Sequence, residues 1–390
     1  MNAELLQQLQ AEFKGHFATT PGVCAYAPGR VEVLGNHTDY NEGYVLSAAI
    51  NRGTFFVAAK AAGRQCRVFA PDVGEEAAFT LDDVRPASQT PWANYVKGVL
   101  AGLARGRRLP RGFTAAFRGD IPLGAGLSSS AALEMSAGLA LAALYGLRVD
   151  PLALARIGQA AEHEYAGVKC GLLDQISSLY GQEGGLVLSD FRSLAVQNVP
   201  MGEGFGFLIC NTRVKHRLVE SEYNERRARC EEAARFFASV LPHPVAALRD
   251  VSWSEWQAHA GRMDPVAARR AAHVVGENDR VLRGRALLAA GRLADFGALM
   301  YESHESSRVN FENSCPELDV LVGAARASGK VLGARLSGGG FGGSVVMLLA
   351  TRDAPAVVAY AAEAYRRAYG HPCGAMEIHP AAGARLVSPV

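Results

Sequence analysis

The sequence predicts an α+β fold in two domains, and three observations carry the prediction. Strand-like runs come first and helical patterns follow in the N-terminal half, an order unlike regular βαβ alternation. At 390 residues and 49% apolar content, the chain exceeds one average core. A strand pair around Leu186–Leu188 and Gly206–Asn211 marks a transition near residue 205, dividing the chain into an N-terminal domain, 1–205, and a C-terminal domain, 206–390. No repeat, low-complexity tract or long linker separates the halves. They are therefore expected to share a broad interface, with a site in the cleft between them.

The elements follow in order. The opening ten residues carry Leu5, Leu6 and Leu9 on one face and lack both a basic start and an apolar core, which predicts a first helix and not a targeting signal. Val31–Leu34 and Tyr44–Ile50 are strand-like and flank the polar run Gly35–Gly43, so that run is a loop presented by a sheet. Further strands are expected at Thr54–Ala59, Cys66–Ala70 and Gly112–Phe117. Helices are expected at Trp92–Leu103, Ser130–Tyr145, Pro151–Ala166 and Gly171–Tyr180. Beyond the transition, helical patterns fill Ser221–Ala325, strands fall at Ala334–Leu336 and Ser344–Ala350, and a helix covers Pro355–Tyr369.

Composition excludes several functions. Forty Lys and Arg against 38 Asp and Glu leave a formal charge of +2, which offers no general attraction for nucleic acid or an anionic membrane. Any anion must be met locally. Seven scattered cysteines without C-x-x-C spacing argue against a disulfide framework and a zinc site, and point to the cytoplasm. No apolar stretch approaches the roughly 18 to 20 residues of a membrane helix.

The run Pro122–Leu133 places two glycines and three hydroxyls where an Ala- and Leu-rich helix begins. Glycines admit a close anion, and the first N–H groups of a helix point outward without partners. Gly124, Gly126, Leu127, Ser128, Ser129, Ser130 and Ala131 thus form a candidate phosphate cradle, although serines also act as ordinary helix caps. Ser337–Ser344 contains G-x-G-x-x-G, but it precedes an apolar strand near the C-terminus and so is not a dinucleotide fingerprint. Its glycines, including Gly339 and Gly340, fit a loop lying against another element or a ligand. His37, Thr38, Asp39, Tyr40 and Asn41 form a dense donor and acceptor cluster of the kind that sugar recognition needs, or a set of Asx-turns. Arg30 is a candidate for stabilising a transferring phosphoryl group. Asp174, at an apolar helix start, is either a cap or a carboxylate held for chemistry.

Taken together, Ala27–Asn41, Pro122–Leu133 and Ser337–Ser344 resemble, in order, the three signatures of the GHMP small-molecule kinases, and the first is similar to the galactokinase signature. Trp92–Gly98, Cys170–Gln175, Ser221–Glu231, Glu302–His304 and Ser314–Asp319 extend the resemblance over nearly the whole chain. It implies a two-domain architecture with the active site in the cleft, transferring the γ-phosphoryl group of ATP, with Mg²⁺, to the anomeric hydroxyl of galactose. Asp174 would be the catalytic carboxylate and Arg30 its charge partner. His37, Asp39, Gly171 and Tyr223 would contact the sugar. Gly124 to Ala131 with Gly339 and Gly340 would hold the nucleotide, and Ser130 (or Ser129) with Glu162 would lie near the metal. One departure stands out. Where galactokinases have Gly-Glu-His-Thr-Asp-Tyr this chain has Asn36, a substrate-binding candidate, and Glu32 stands where Asn is usual. A C6-altered galactose such as galacturonate is accordingly an alternative substrate, and a non-catalytic galactose and ATP sensor is the alternative from another class. A monomer acting on a small-molecule sugar, without nucleic acid or membrane, completes the expectation.

Overall fold

Two mostly antiparallel sheets position everything else. The computed structural model describes residues 2–122, 124–215 and 219–388; Met1, Leu123 of the glycine-serine motif, and Val390 lie outside the described residues, as does the side chain of Ser221. The chain runs through β1 (Val23–Leu34), β2 (Tyr44–Lys60), β3 (Gln65–Ala70), β4 (Glu75–Thr80), β5 (Phe113–Gly119), β6 (Gly185–Asp190) and β7 (Val196–Pro200). It continues through β8 (Phe205–Lys215), β9 (Val331–Ser337), β10 (Gly342–Ala350), β11 (Gly374–Ile378) and β12 (Arg385–Val387). The first sheet has eight strands, in the order β12-β1-β2-β5-β3-β4 with β6 joining β2 to β7. The second has four, in the order β11-β8-β10-β9. The mixed α+β class is as expected, and the second sheet starts at Phe205. However, β12 returns to pair with β1, so the chain's last strand belongs to the first sheet.

The helices are α1 (Ala3–Phe17), α2 (Ala93–Ala104), α3 (Ser129–Tyr145), α4 (Pro151–Ala161), α5 (Leu173–Tyr180), α6 (Val219–Val240), α7 (Trp253–His259), α8 (Pro265–Ala289), α9 (Leu293–Ser306), α10 (Pro316–Ala327) and α11 (Ala354–Tyr369). α3 is buried on nearly every side, which its alanines permit; at Gly138 even a methyl would lie 2.5 Å from Leu154 Cδ1. The expected helix to Ala166 ends its α-helical part at Ala161 and passes into a π turn over Glu162–Ala166. The two strands expected at 44–50 and 54–59 are one, because the strand runs on through Asn51–Gly53 across an irregularity in its pairing with β1. A Cβ at Gly53 would lie 2.3 Å from Ala27 O, so only glycine keeps that pairing close.

One hydrophobic cluster joins the halves: Val31, Leu34, Leu46 and Leu186 pack with Phe207, Phe296, Val346 and Leu348. Burial of this size, at about 25 cal/mol per Å² of apolar surface, fixes the sheets relative to each other. Three loops meet along this seam. They are 35–43, the segment before α3, and the turn between β9 and β10.

Candidate active site

β1 delivers Arg30 because Gly29 lets the strand touch the glycine-serine loop. A Cβ on Gly29 would lie 2.4 Å from Leu127 O, and the Arg30 amide donates to that carbonyl at 3.1 Å. Arg30 Nε donates to Asp174 Oδ1 at 2.7 Å, Nη2 lies 2.7 Å from the same oxygen, and Nη1 donates to Gly126 O at 2.7 Å. The Ser128 hydroxyl donates to Asp174 Oδ2. Donors thus hold both oxygens of Asp174, at the first turn of α5. The pair is 144 residues apart in sequence.

The serines divide their work. Ser128 stands at the N-cap of α3 with φ of 57°, yet its hydroxyl makes no cap bond. The bland reading of Ser128 as a helix cap therefore fails, since its side chain is spent on Asp174. Gly124 and Gly126, at φ of 73° and 71°, turn the loop so that the open end of α3 faces a cavity. Ser130 donates to Glu162 Oε1 at 2.7 Å. Burial lifts Glu162 to about 7, against the bond from Ser130, and Asp174 adds to the lift. Glu134, fully buried on α3, takes the Gln175 amide at 2.9 Å on one oxygen while the other has no partner. Burial and Glu162 push its carboxyl well up. Sequence reading passed over Glu134, although a carboxylate inside a run of Ala and Leu is the available signal.

Two cavities meet at Arg30 and Asp174. One, of about 490 Å³, is lined by Arg30, Glu32, Asn36, His37, Asp39, Gly171, Asp174 and Tyr223. The other, of about 380 Å³, is lined by Gly124, Gly126, Leu127, Ser128, Ser129, Ser130, Gly339 and Gly340, and it shares Arg30, Asp174, Gly338 and Gly339 with the first. Ala131 is fully buried and lines neither, and Glu162 reaches them only through Ser130. The β9–β10 turn closes over the seam with Gly338 and Gly340 at φ of 83° and 85°. Ser344 ties the turn to Ala125 O at 2.9 Å.

In the first cavity, His37 contacts Gly339 O at 3.1 Å through Nε2 and Tyr40 Oη at 3.0 Å through Nδ1, and its ring packs 5.2 Å from that of Tyr223. Burial brings His37 down to about 4, so the imidazole is neutral near pH 7. Asp39 rises to about 6 through burial and the neighbouring Glu32. Glu277 of α8 accepts the amides of Gly35 and Asn36 at 2.9 and 3.0 Å and so anchors the start of the loop. Burial opposes its ionisation, but Arg280, His273 and Arg335 hold it well below the usual carboxylate range. Among the described residues no group of three or more His, Cys, Asp or Glu side chains is arranged to hold a metal, and no helix is long and apolar enough to cross a membrane. One carboxylate and one hydroxyl, Glu162 and Ser130, are the donors beside the cradle.

Comparison with known proteins places the chain in a family. Residues 11–60 match the galactokinase galactose-binding signature, 94–182 the GHMP kinases N terminal domain and 285–367 the GHMP kinases C terminal family. The chain is 41% identical over 368 residues to a galactokinase of Glaesserella parasuis, covering 93% of this chain and 94% of that one. It is 41% identical to a galactokinase of Chloroflexus aggregans over 345 residues, 88% of each. The crystal structure of Lactococcus lactis galactokinase complexed with galactose superposes with a TM-score of 0.91 at 33% identity, covering 97% of this chain and 99% of that chain. By sequence over nearly its whole length and by fold, the chain belongs to the galactokinase family of GHMP kinases.

Proposed function

We propose that this protein transfers the γ-phosphoryl group of ATP to the anomeric hydroxyl of galactose, with Asp174 as catalytic carboxylate and Arg30 as its electrostatic partner. The observation that carries the reading is that Arg30 and Asp174 stand where the two cavities join. A sugar in the first cavity and a nucleotide phosphate in the second would meet there. Asp174, fixed on both oxygens, accepts the hydrogen of the attacking hydroxyl; Arg30 offsets charge on the equatorial phosphoryl oxygens. Little else is required, since phosphoryl transfer depends mainly on positioning and neutralisation. His37, Asp39, Gly171 and Tyr223 line the sugar side and would set its orientation.

Ser130 and Glu162 would hold Mg²⁺. One carboxylate plus a hydroxyl, completed by phosphates and water, is a donor set that suits this ion. When bound, the ion supplies neutralising charge to the phosphates. The reading includes a boundary near residue 205 and a monomer working in the cytoplasm. Neither alternative draws support: the sensor would need a damaged phosphate loop or a separated Arg30 and Asp174, and galacturonate would face Glu32, Asp39 and Asp174 in one cavity.

Release of ADP from MgATP and galactose by the purified protein tests the reading. Asp174→Ala should lower kcat by several powers of ten while calorimetry still records galactose binding. No transfer to any of a panel of hexoses, or an Asp174→Ala variant with its rate intact, would overturn it.

A further inference from the structure

Glu32 follows Arg30 by two residues on β1, so both side chains point to the same face, about 7 Å apart along the strand. Glu32 is 5% exposed and lines the sugar-side cavity. Its Oε1 accepts from Asn36 Nδ2 at 2.9 Å and from Arg335 Nη1 at 2.9 Å. Neither bond uses Oε2, which is left for the cavity. Arg335 is fully buried, its Nε and Nη2 have no partner among the described residues, and Glu32 is the carboxylate in direct contact with it, with Glu277 acting from farther away.

Asn36 is differently placed. Its two amide hydrogens go to Glu32 and to Gly338 O, the latter at 2.8 Å, and its Oδ1 accepts from Asn313 Nδ2 at 3.0 Å. The residue is 1% exposed. With both donors spent inside the protein, it has no hydrogen left to offer a ligand. A carboxylate at position 36 would instead set its oxygens against Glu32 Oε1 and the Gly338 carbonyl.

We propose that the Asn and Glu usual at positions 32 and 36 are exchanged here without loss of a carboxylate at the sugar: Glu32 Oε2 is the charged acceptor for a galactose hydroxyl, and Asn36 is the positioning residue that aims it. The inference rests on the galactokinase reading. The cavity then keeps a carboxylate despite Asn36.

Glu32→Gln removes the charge and retains the shape. KM for galactose should rise about 10- to 100-fold, the range of a hydrogen bond to a charged acceptor, with kcat changed much less. Across 2-, 3-, 4- and 6-deoxygalactose the penalty should vanish for the one sugar that lacks the recognised hydroxyl. Because Glu32→Gln strips Arg335 of its partner, the swap gives a second reading: Glu32→Asn with Asn36→Glu should recover at least about tenfold in kcat/KM over Glu32→Asn alone, as coupled neighbours do. Unchanged KM in Glu32→Gln, equal losses on every deoxy sugar, or a double variant no better than Glu32→Asn would overturn the exchange. A wild type that turns over no hexose defeats the kinase reading instead, and calorimetric galactose affinity of the same variants still decides this one.

Discussion

Asp39 on the cavity wall has its carboxyl lifted to about 6 by burial and by its negative neighbours Glu32 and Asp174. Above that pH it accepts hydrogen bonds; below it, one oxygen is a donor. kcat/KM for galactose should therefore fall on the acid side with a midpoint near 6, not near 4, because this profile reports groups of the free enzyme. His37, already brought down to about 4, adds no limb in that window, whereas Glu162, raised to about 7, would add one above it that saturating Mg²⁺, by favouring the carboxylate, should remove. Glu32→Gln removes one cause of the lift and should move the midpoint to lower pH, read from pH profiles of both proteins. A midpoint that stays near 6 in the variant would assign the limb to another group. For stability the sign is opposite: a carboxyl raised in the fold favours folding most below its unfolded value of 3.8, and that contribution is lost as pH rises through about 6. Much of this site was legible residue by residue, since Arg30, His37, Asp39 and Asp174 belong to short motifs whose chemistry is local. Glu134, Glu277 and Arg335 were not, because a lone charge in an apolar helix or strand takes its meaning from partners up to 303 residues away.

At the scale of elements, the site depends on backbone brought into contact. Gly171, just before α5, passes so near the 35–43 loop that a Cβ there would lie 2.1 Å from Asp39 Oδ2. Gly171→Ala should force Asp39 to rotate, since its short side chain has nowhere else to yield. The expected result is a fall in kcat/KM of about 10- to 100-fold, the scale of a small misplacement in a site, with the melting temperature nearly unchanged. Steady-state kinetics beside a thermal melt check this, and a large loss of stability would instead make Gly171 a folding residue. Elements with long apolar periodicity, such as α3 and β10, were readable from sequence within a few residues. Those missed were β4, β7, β11 and β12, short strands such as Glu75–Thr80 and Arg385–Val387 whose polar residues mask their pattern. They are strands because a neighbouring edge accepts them, as β1 accepts β12, and pairing between distant segments leaves no local signal.

Across the whole molecule, Glu277 joins the halves at the point where the 35–43 loop starts. It is fully buried on α8 and reaches back 242 residues to the Gly35 amide. Arg280 Nε donates to its other oxygen at 2.5 Å. A buried carboxylate of this kind gives little net stability over an apolar filling, but removing it strands its partners. Glu277→Gln would leave Arg280 and Arg335 without that charge and the two loop amides with one weaker acceptor. The loss should be about 3 kcal/mol at pH 7, read from urea midpoints. Because folding lowers the Glu277 pKa, its contribution is complete above the unfolded value of 4.5 and declines as pH falls below it. The gap between wild type and variant should therefore narrow by about 2 kcal/mol from pH 4.5 to pH 3, at about 1.4 kcal/mol per pH unit. A constant gap over that range would mean that shape rather than charge carries the contact. Loss of galactose affinity in step with the stability loss is also expected, since the same two amides fix Asn36 and, through it, Glu32.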